Sequence, residues 1–114
     1  MNDSPIDDES MQRIAVLLPV FNDWEALEAV LQEVWLALGS DYQVHFVLVD
    51  DGSRMAAPSF WTADTDWSWD LLRLGCNLGH QRAICVGLSW IVAEFEADVI
   101  VVMDSDGEDN PSAT

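Results

Sequence analysis

The sequence contains no lysine, and its entire cationic complement is four arginines, Arg13, Arg54, Arg73 and Arg82, set against 21 acids for a formal net charge of −17. That balance argues against nucleic acid and anionic membrane surfaces as partners, because the long-range field of the chain repels polyanions. An anionic ligand of any size needs a metal ion, a helix N-terminus or one of the few arginines to hold it. Cysteine is also scarce. Cys76 and Cys85 stand nine positions apart, which fits neither a CxxC pair nor a zinc spacing, so both are read as reduced thiols, with Cys85 in a helix core. No apolar run reaches the ~20 residues needed to span a bilayer. The opening "MNDSPIDDES" lacks the basic and apolar regions of a signal peptide, so a cytoplasmic location is expected. Internal repeats and low-complexity segments are absent.

The 114 residues are half hydrophobic, enough for one domain that buries about two-thirds of its unfolded surface. Residues 1–12 carry four acids and are expected to form a disordered tail, leaving 13–114 as the folded unit. "IAVLLPVF" is a continuous apolar run of strand length, the pattern of a strand covered on both faces. "NDWEALEAVLQEVWLALG" follows with Leu27, Val30, Leu31, Val34 and Leu38 at helical spacing, Asn22 and Glu25 placed for a capping box, and Gly39 as a stop. "YQVHFVLVD" repeats the buried-strand pattern and ends in Asp50, Asp51 and the turn "DGS"; His45 inside it is read as structural. Residues 54–69 have no clear periodicity and are read as loop, with room for a short helix; Trp61, Trp67 and Trp69 are read as packing residues, with stacking on a sugar as the other use. "DLLRL" is a third strand, "HQRAICVGLSWIVAEFEA" a helix apolar nearly all round and packed deeply on a sheet, and "DVIVVM" a fourth buried strand. Strands alternating with helices imply an α/β fold with a mostly parallel four-stranded sheet, Rossmann-like, flanked by helices.

In such a sheet every strand carboxyl end lies on one edge, and ligands bind there. Phe21 to Asp23, Asp50 to Ser53, Gly75 to His80 and Asp104 to Glu108 all follow strand ends and are expected to converge on that rim. Asp104 and Asp106 can reach one hard cation if the chain turns sharply after Met103, and Glu108 can complete an oxygen set suited to Mg2+ or Mn2+. A solvated acidic turn is the plain alternative. A calcium loop is excluded, because the position that needs glycine is Asp109. "VVMDSDG" also fits the haloacid-dehalogenase pattern, in which Asp104 would be a phosphoryl-accepting nucleophile, but that chemistry customarily uses a downstream lysine and this chain has none.

"LLPVFND" stands where a dinucleotide dehydrogenase would show G-x-G-x-x-G, so that class is excluded and a nucleotide must bind in another way. Phe21 would lie against the base and Asp23 near the ribose, with a core position the other use of Phe21. Asp51 is a candidate acceptor for base or ribose hydrogen bonds. Asp50 is either a second acceptor or a turn former. Gly79 permits close backbone approach before a helix N-terminus, a favourable place for anions. Arg82 can contact a diphosphate or pair with an acid, and His80 either takes part or hydrogen-bonds locally.

Taken in order, "LLPVFND", "VLVDDGS", "LLRLGCNLGHQRAICVGL" and "VIVVMDSDGEDNP" resemble the N-terminal nucleotide-binding half of family 2 glycosyltransferases, with the dolichol-phosphate-mannose synthase-like branch nearest. The resemblance covers about residues 13 to 111. It implies a GT-A fold, with Pro19, Phe21 and Asp23 cradling base and ribose, Asp51 contacting the base, and Asp104 and Asp106 as the metal-binding DxD beside Glu108. It further implies transfer of a hexose from a UDP- or GDP-sugar with Mg2+ or Mn2+, often to a polyprenyl phosphate at a membrane. A longer form would then work at the cytoplasmic face of the membrane. The acceptor site, the catalytic base and the QxxRW-like helix of relatives fall beyond residue 114. A donor-binding fragment that does not turn over alone is therefore expected, prone to homo-oligomerise through its exposed sheet edge. Two other readings stay open at this point, the phosphohydrolase with Asp104 as nucleophile and a non-catalytic nucleotide-sugar-binding domain.

Overall fold

A computed structural model describes residues 11–54 and 68–103. Its elements are β1 (Arg13–Val20), α1 (Trp24–Leu38), β2 (Gln43–Asp50), β3 (Ser68–Arg73), α2 (His80–Glu94) and β4 (Val99–Val102). The four strands form one sheet in the order β3-β2-β1-β4, and every pairing is parallel. The α/β, Rossmann-like expectation holds.

The two apolar runs are divided by the strand period of two. Ile14, Val16, Leu18 and Val20 of β1, with Val44, Phe46 and Leu48 of β2, face a core shared with Trp24, Leu27, Leu31 and Val34 of α1. Ala15 and Leu17, with Val47 and Val49, face the opposite core, closed by Ala83 and Ile91 of α2. Both faces of the central strands are therefore covered, which is why their sequences show no polar alternation. Gly87 brings α2 close to the sheet, since a Cβ there would stand 2.4 Å from Leu17 Cδ1 and 3.0 Å from Val49 Cγ2.

The winding explains why the helices lie on opposite faces. From β1 the chain moves through α1 to its neighbour β2 and on to β3; from β3 it returns through α2 past β2 and β1 to β4. Right-handed crossovers run in opposite directions must cover opposite faces. The reversal puts a topological switch point between β1 and β4, where ligands of doubly wound sheets sit.

Several local readings are corrected. The cap of α1 is Asp23, whose Oδ1 accepts from the Ala26 N–H at 3.3 Å, and not Asn22, which adopts φ 66°. Asparagine tolerates that left-handed conformation better than most residues, so Asn22 turns the chain and Asp23 takes the cap. β3 starts at Ser68, so Ser68 and Trp69 leave the expected loop, and Trp69 packs against the α1-side core. Residues 55–67 of that loop, with Trp61 and Trp67, and residues 1–10 lie outside the described residues.

α2 is not packed all round. Only Ala83, Gly87 and Ile91, spaced by four, are buried, while Val92 is 78% exposed and Cys85 is exposed rather than in a core. β4, expected to be buried, is an edge strand with Val99, Ile100 and Val102 exposed. The physical reason is shared: both helices pack on the central strands β1 and β2, and an apolar composition cannot reveal which strand a helix will cover.

His45 is structural, as expected. Its Nε2–H donates to Asp70 Oδ2 at 2.8 Å, its Nδ1 takes the Ser68 hydroxyl, and its ring stacks on Phe95 with centroids 4.7 Å apart. The contact ties β2 to β3 at the amino edge. No helix among the described residues is long and apolar enough to cross a membrane.

Candidate functional site

The carboxyl edge of the sheet is built from three turns that are tied to one another. β1 ends at the buried Pro19 and Val20. Odd-numbered residues of β1 direct their backbone groups toward β4: the carbonyl of Arg13 accepts from Asp98 N and that of Leu17 from Met103 N, at 2.8 and 2.9 Å. Even-numbered ones face β2, as in the Asp51 N–H donated to Val20 O at 2.8 Å. Among the described residues the last β1–β4 pair is Leu17–Val102, and Pro19, which has no N–H to offer, follows two positions later. A proline there costs no ladder bond to β2, since odd-numbered residues of β1 turn their backbone groups away from β2.

Phe21 follows, 46% exposed, which removes the core use and leaves its ring at the rim. Asn22 ties this turn to the next. Its N–H donates to Ser53 Oγ at 2.7 Å, and its Oδ1 accepts from Arg54 N at 2.7 Å.

The second turn carries two adjacent buried acids, Asp50 at 5% and Asp51 at 4% exposure. A buried carboxylate is costly unless hydrogen-bonded or paired. Asp50 Oδ1 accepts from Ser53 N at 2.9 Å, the turn-forming use, and its Oδ2 lies 3.9 Å from Arg73 Nε. Asp51 reaches the third turn: Oδ1 accepts from Leu78 N at 2.7 Å, and Oδ2 from Gly79 N and Asn77 Nδ2, each at 3.1 Å. Asn77 Nδ2 also donates to the Asp51 carbonyl at 3.0 Å. Gly52, with φ 78°, allows this approach, because a Cβ there would stand 2.5 Å from Asn77 N and 2.6 Å from Cys76 C. Only glycine fits a turn that is both left-handed and pressed against backbone.

Gly79 then caps α2 with φ 98° and open space around its Cα. His80 and Arg82 are exposed in the first turn of α2, and Arg82 forms no ion pair among the described residues. Three of the four expected clusters therefore meet at one rim. Asp104, Asp106 and Glu108 lie outside the described residues, and among those described no three acids, histidines or cysteines are grouped to hold a metal.

Sequence reading missed Asn77, Asn22 and Ser53 as ties between turns. Their only sequence signal is their position in turn-rich segments after strands, which does not say which turn they bond to. Two open clefts of about 450 and 640 Å³ lie at the opposite, amino edge, both lined by Met11, Arg13 and Phe95. Topology rather than volume locates the ligand edge of a parallel sheet, and the amino-edge clefts hold none of the converging turns.

Comparison with known proteins agrees with the topology. The chain is similar to the undecaprenyl-phosphate 4-deoxy-4-formamido-L-arabinose transferase of Yersinia pestis bv. Antiqua (strain Angola), at 29% identity over 112 residues, 93% of this chain and 32% of the relative. The protein of the same name from Enterobacter sp. (strain 638) is 31% identical over 109 residues, 90% of this chain and 32% of its own. The chain thus spans about a third of the length of the curated relatives it matches. The profile described as Glycosyl transferase family 2 matches residues 15–114, nearly the whole chain, and the protein therefore belongs to glycosyl transferase family 2.

Proposed function

We propose that this chain is the donor-binding part of a metal-dependent glycosyltransferase that takes a sugar from a UDP- or GDP-sugar and passes it to a polyprenyl phosphate. The observation that carries the reading is the switch point between β1 and β4: "LLPVFND" leaves the sheet on one side of it and "DSDGED" follows β4 on the other. Family membership decides against the phosphohydrolase, and the names of the relatives supply the acceptor class. Those names specify an arabinose derivative, so the proposal covers glycosyl groups in general and not hexoses alone.

In this reading Phe21 lies against the base, beside Pro19, and Asp23 serves the ribose from its position at the start of α1. Asp50 holds the turn from which Asp51 meets the base. Asp51 keeps that capacity, since a carboxylate has about four acceptor positions and three are filled by the loop. Gly79 leaves room for the diphosphate beside the first turn of α2, where His80 and Arg82 are exposed.

Asp104, Asp106 and Glu108 are hard oxygen donors of the type Mg2+ and Mn2+ prefer, so the donor set fits such an ion. When bound, a divalent cation offsets the charge that grows on the diphosphate as the glycosidic bond breaks. The chain's own contribution is to orient the donor and to hold its leaving group against the rim. Calorimetric titration of UDP and GDP with and without Mn2+, repeated on Asp106→Ala, tests the reading. Binding that needs the metal and is lost in the variant is expected; equal affinity without metal refutes the role given to the acids.

A further inference from the structure

We infer that Asn77 is a positioning residue for the nucleotide base. The inference rests on the donor-site reading above and adds to it a residue that acts through Asp51. Asn77 Nδ2 donates to two acceptors of one neighbour, the Asp51 carbonyl at 3.0 Å and the Asp51 carboxylate at 3.1 Å. A residue on an exposed turn has water as an alternative partner, and the amide nevertheless turns inward to an aspartate that is 4% exposed.

The consequence lies in which oxygen remains available. Among the described residues Oδ2 is filled by two donors, Asn77 Nδ2 and Gly79 N, whereas Oδ1 has one, Leu78 N. A carboxylate oxygen accepts two hydrogen bonds, so the open position is on Oδ1. A half-turn of the carboxylate only exchanges equivalent oxygens, but a smaller rotation about Cβ–Cγ would swing the open position out of its present direction and loosen all three donors. Asn77 opposes that rotation because its amide spans main chain and side chain of the same residue. The open acceptor suits a ring N–H such as uracil and guanine both present, and neither a phosphate nor a sugar oxygen supplies an equivalent donor in a plane.

The test is calorimetric titration of the chain in Mn2+ with UDP, GDP, their N3-methyl-uracil and N1-methyl-guanine counterparts, and inorganic pyrophosphate, on wild type, Asn77→Ala and Asn77→Ser. For the nucleotide that binds, methylating the ring nitrogen is expected to weaken the wild type about tenfold, the scale of one lost charge-assisted hydrogen bond. Asn77→Ala should weaken the unmodified nucleotide to a similar extent, lose its sensitivity to methylation, and hold pyrophosphate within about twofold of wild type. Asn77→Ser keeps one donor and should fall between, and it replaces the alanine variant in the comparison if circular dichroism shows that variant unfolded. Loss of pyrophosphate binding in step with nucleotide binding, full methylation sensitivity in the alanine variant, or unfolding of both variants would make Asn77 a structural tie and overturn the inference. A wild type that binds neither nucleotide removes the donor-site reading and the Asn77 role with it. A wild type that binds nucleotide, compared with variants that behave identically, removes the Asn77 role alone.

Discussion

Replacing Gly52 by alanine tests how tightly the rim is tied together, and Gly79 provides the matched control. Both glycines have positive φ, 78° and 98°. The added methyl at Gly52 would meet backbone, Asn77 N at 2.5 Å and Cys76 C at 2.6 Å, whereas at Gly79 it would enter open space. A side-chain-bearing residue in the left-handed region costs about 1–2 kcal/mol. Relief of the clash then requires the loop to withdraw, and the three donors that reach the Asp51 carboxylate depend on its position. At about 1 kcal/mol net for each bond, Gly52→Ala should cost about 4–5 kcal/mol in all. Gly79→Ala carries only its backbone strain, about 1–3 kcal/mol for the extended positive-φ region it occupies. Urea unfolding followed by tryptophan fluorescence measures both, with the slope of the transition checked for constancy. A Gly52→Ala variant no less stable than Gly79→Ala would refute the claim that backbone contact, rather than φ alone, requires glycine between the two turns.

Neighbouring residues of α2 should respond oppositely to truncation: Ile91→Ala removes a buried side chain and should cost about 2–5 kcal/mol, while Val92→Ala, at an exposed position, should stay within about 0.5 kcal/mol of wild type in the same unfolding assay. Asp23→Ala should lose about 1 kcal/mol through the N-cap of α1, and Asp23→Asn should retain most of it, because an amide oxygen can still accept from Ala26 N. Both Cys76 and Cys85 are exposed, so two thiols per chain should react with a thiol reagent without denaturant; one reacting thiol would return Cys85 to a core position.

The sheet was legible because burial on both faces leaves a plain mark. "IAVLLPVF" and "VHFVLVD" have no polar alternation, and only strands roofed by α1 and α2 tolerate that. The same mark misled at β4: "VIVV" is equally apolar but stands at an edge of the sheet, since strand order is fixed by the direction of the crossovers and not by any one segment. α2 misled for a related reason. Its apolar residues encircle the helix, yet contact is limited to the stripe of Ala83, Gly87 and Ile91, where glycine permits close approach. At the site, position after a strand was enough to gather Phe21, Asp50, Asp51 and Gly79. The ties through Asn22, Ser53 and Asn77 were not legible, because hydrogen bonds between turns 26 to 32 residues apart leave no periodicity.

The scarcity of cations connects the rim to the proposed metal. Asp50 and Asp51 are buried side by side, and the nearest guanidinium, Arg73, stands 3.9 Å from one of them. Backbone and amide N–H groups supply the compensation instead, from Ser53, Asn77, Leu78 and Gly79. Two of the backbone N–H groups nearest the start of α2, those of Leu78 and Gly79, are thereby committed to Asp51. A diphosphate at the rim could use only the first-turn N–H groups beyond them, with His80 and Arg82, against a formal net charge of −17. A helix terminus contributes roughly half an elementary charge and stabilises an anion by about 0.3–1 kcal/mol. That is too little to hold a multiply charged ligand against such a field, so the proposal of a divalent cation at the acids after Met103 follows from the charges that the folded rim has already used.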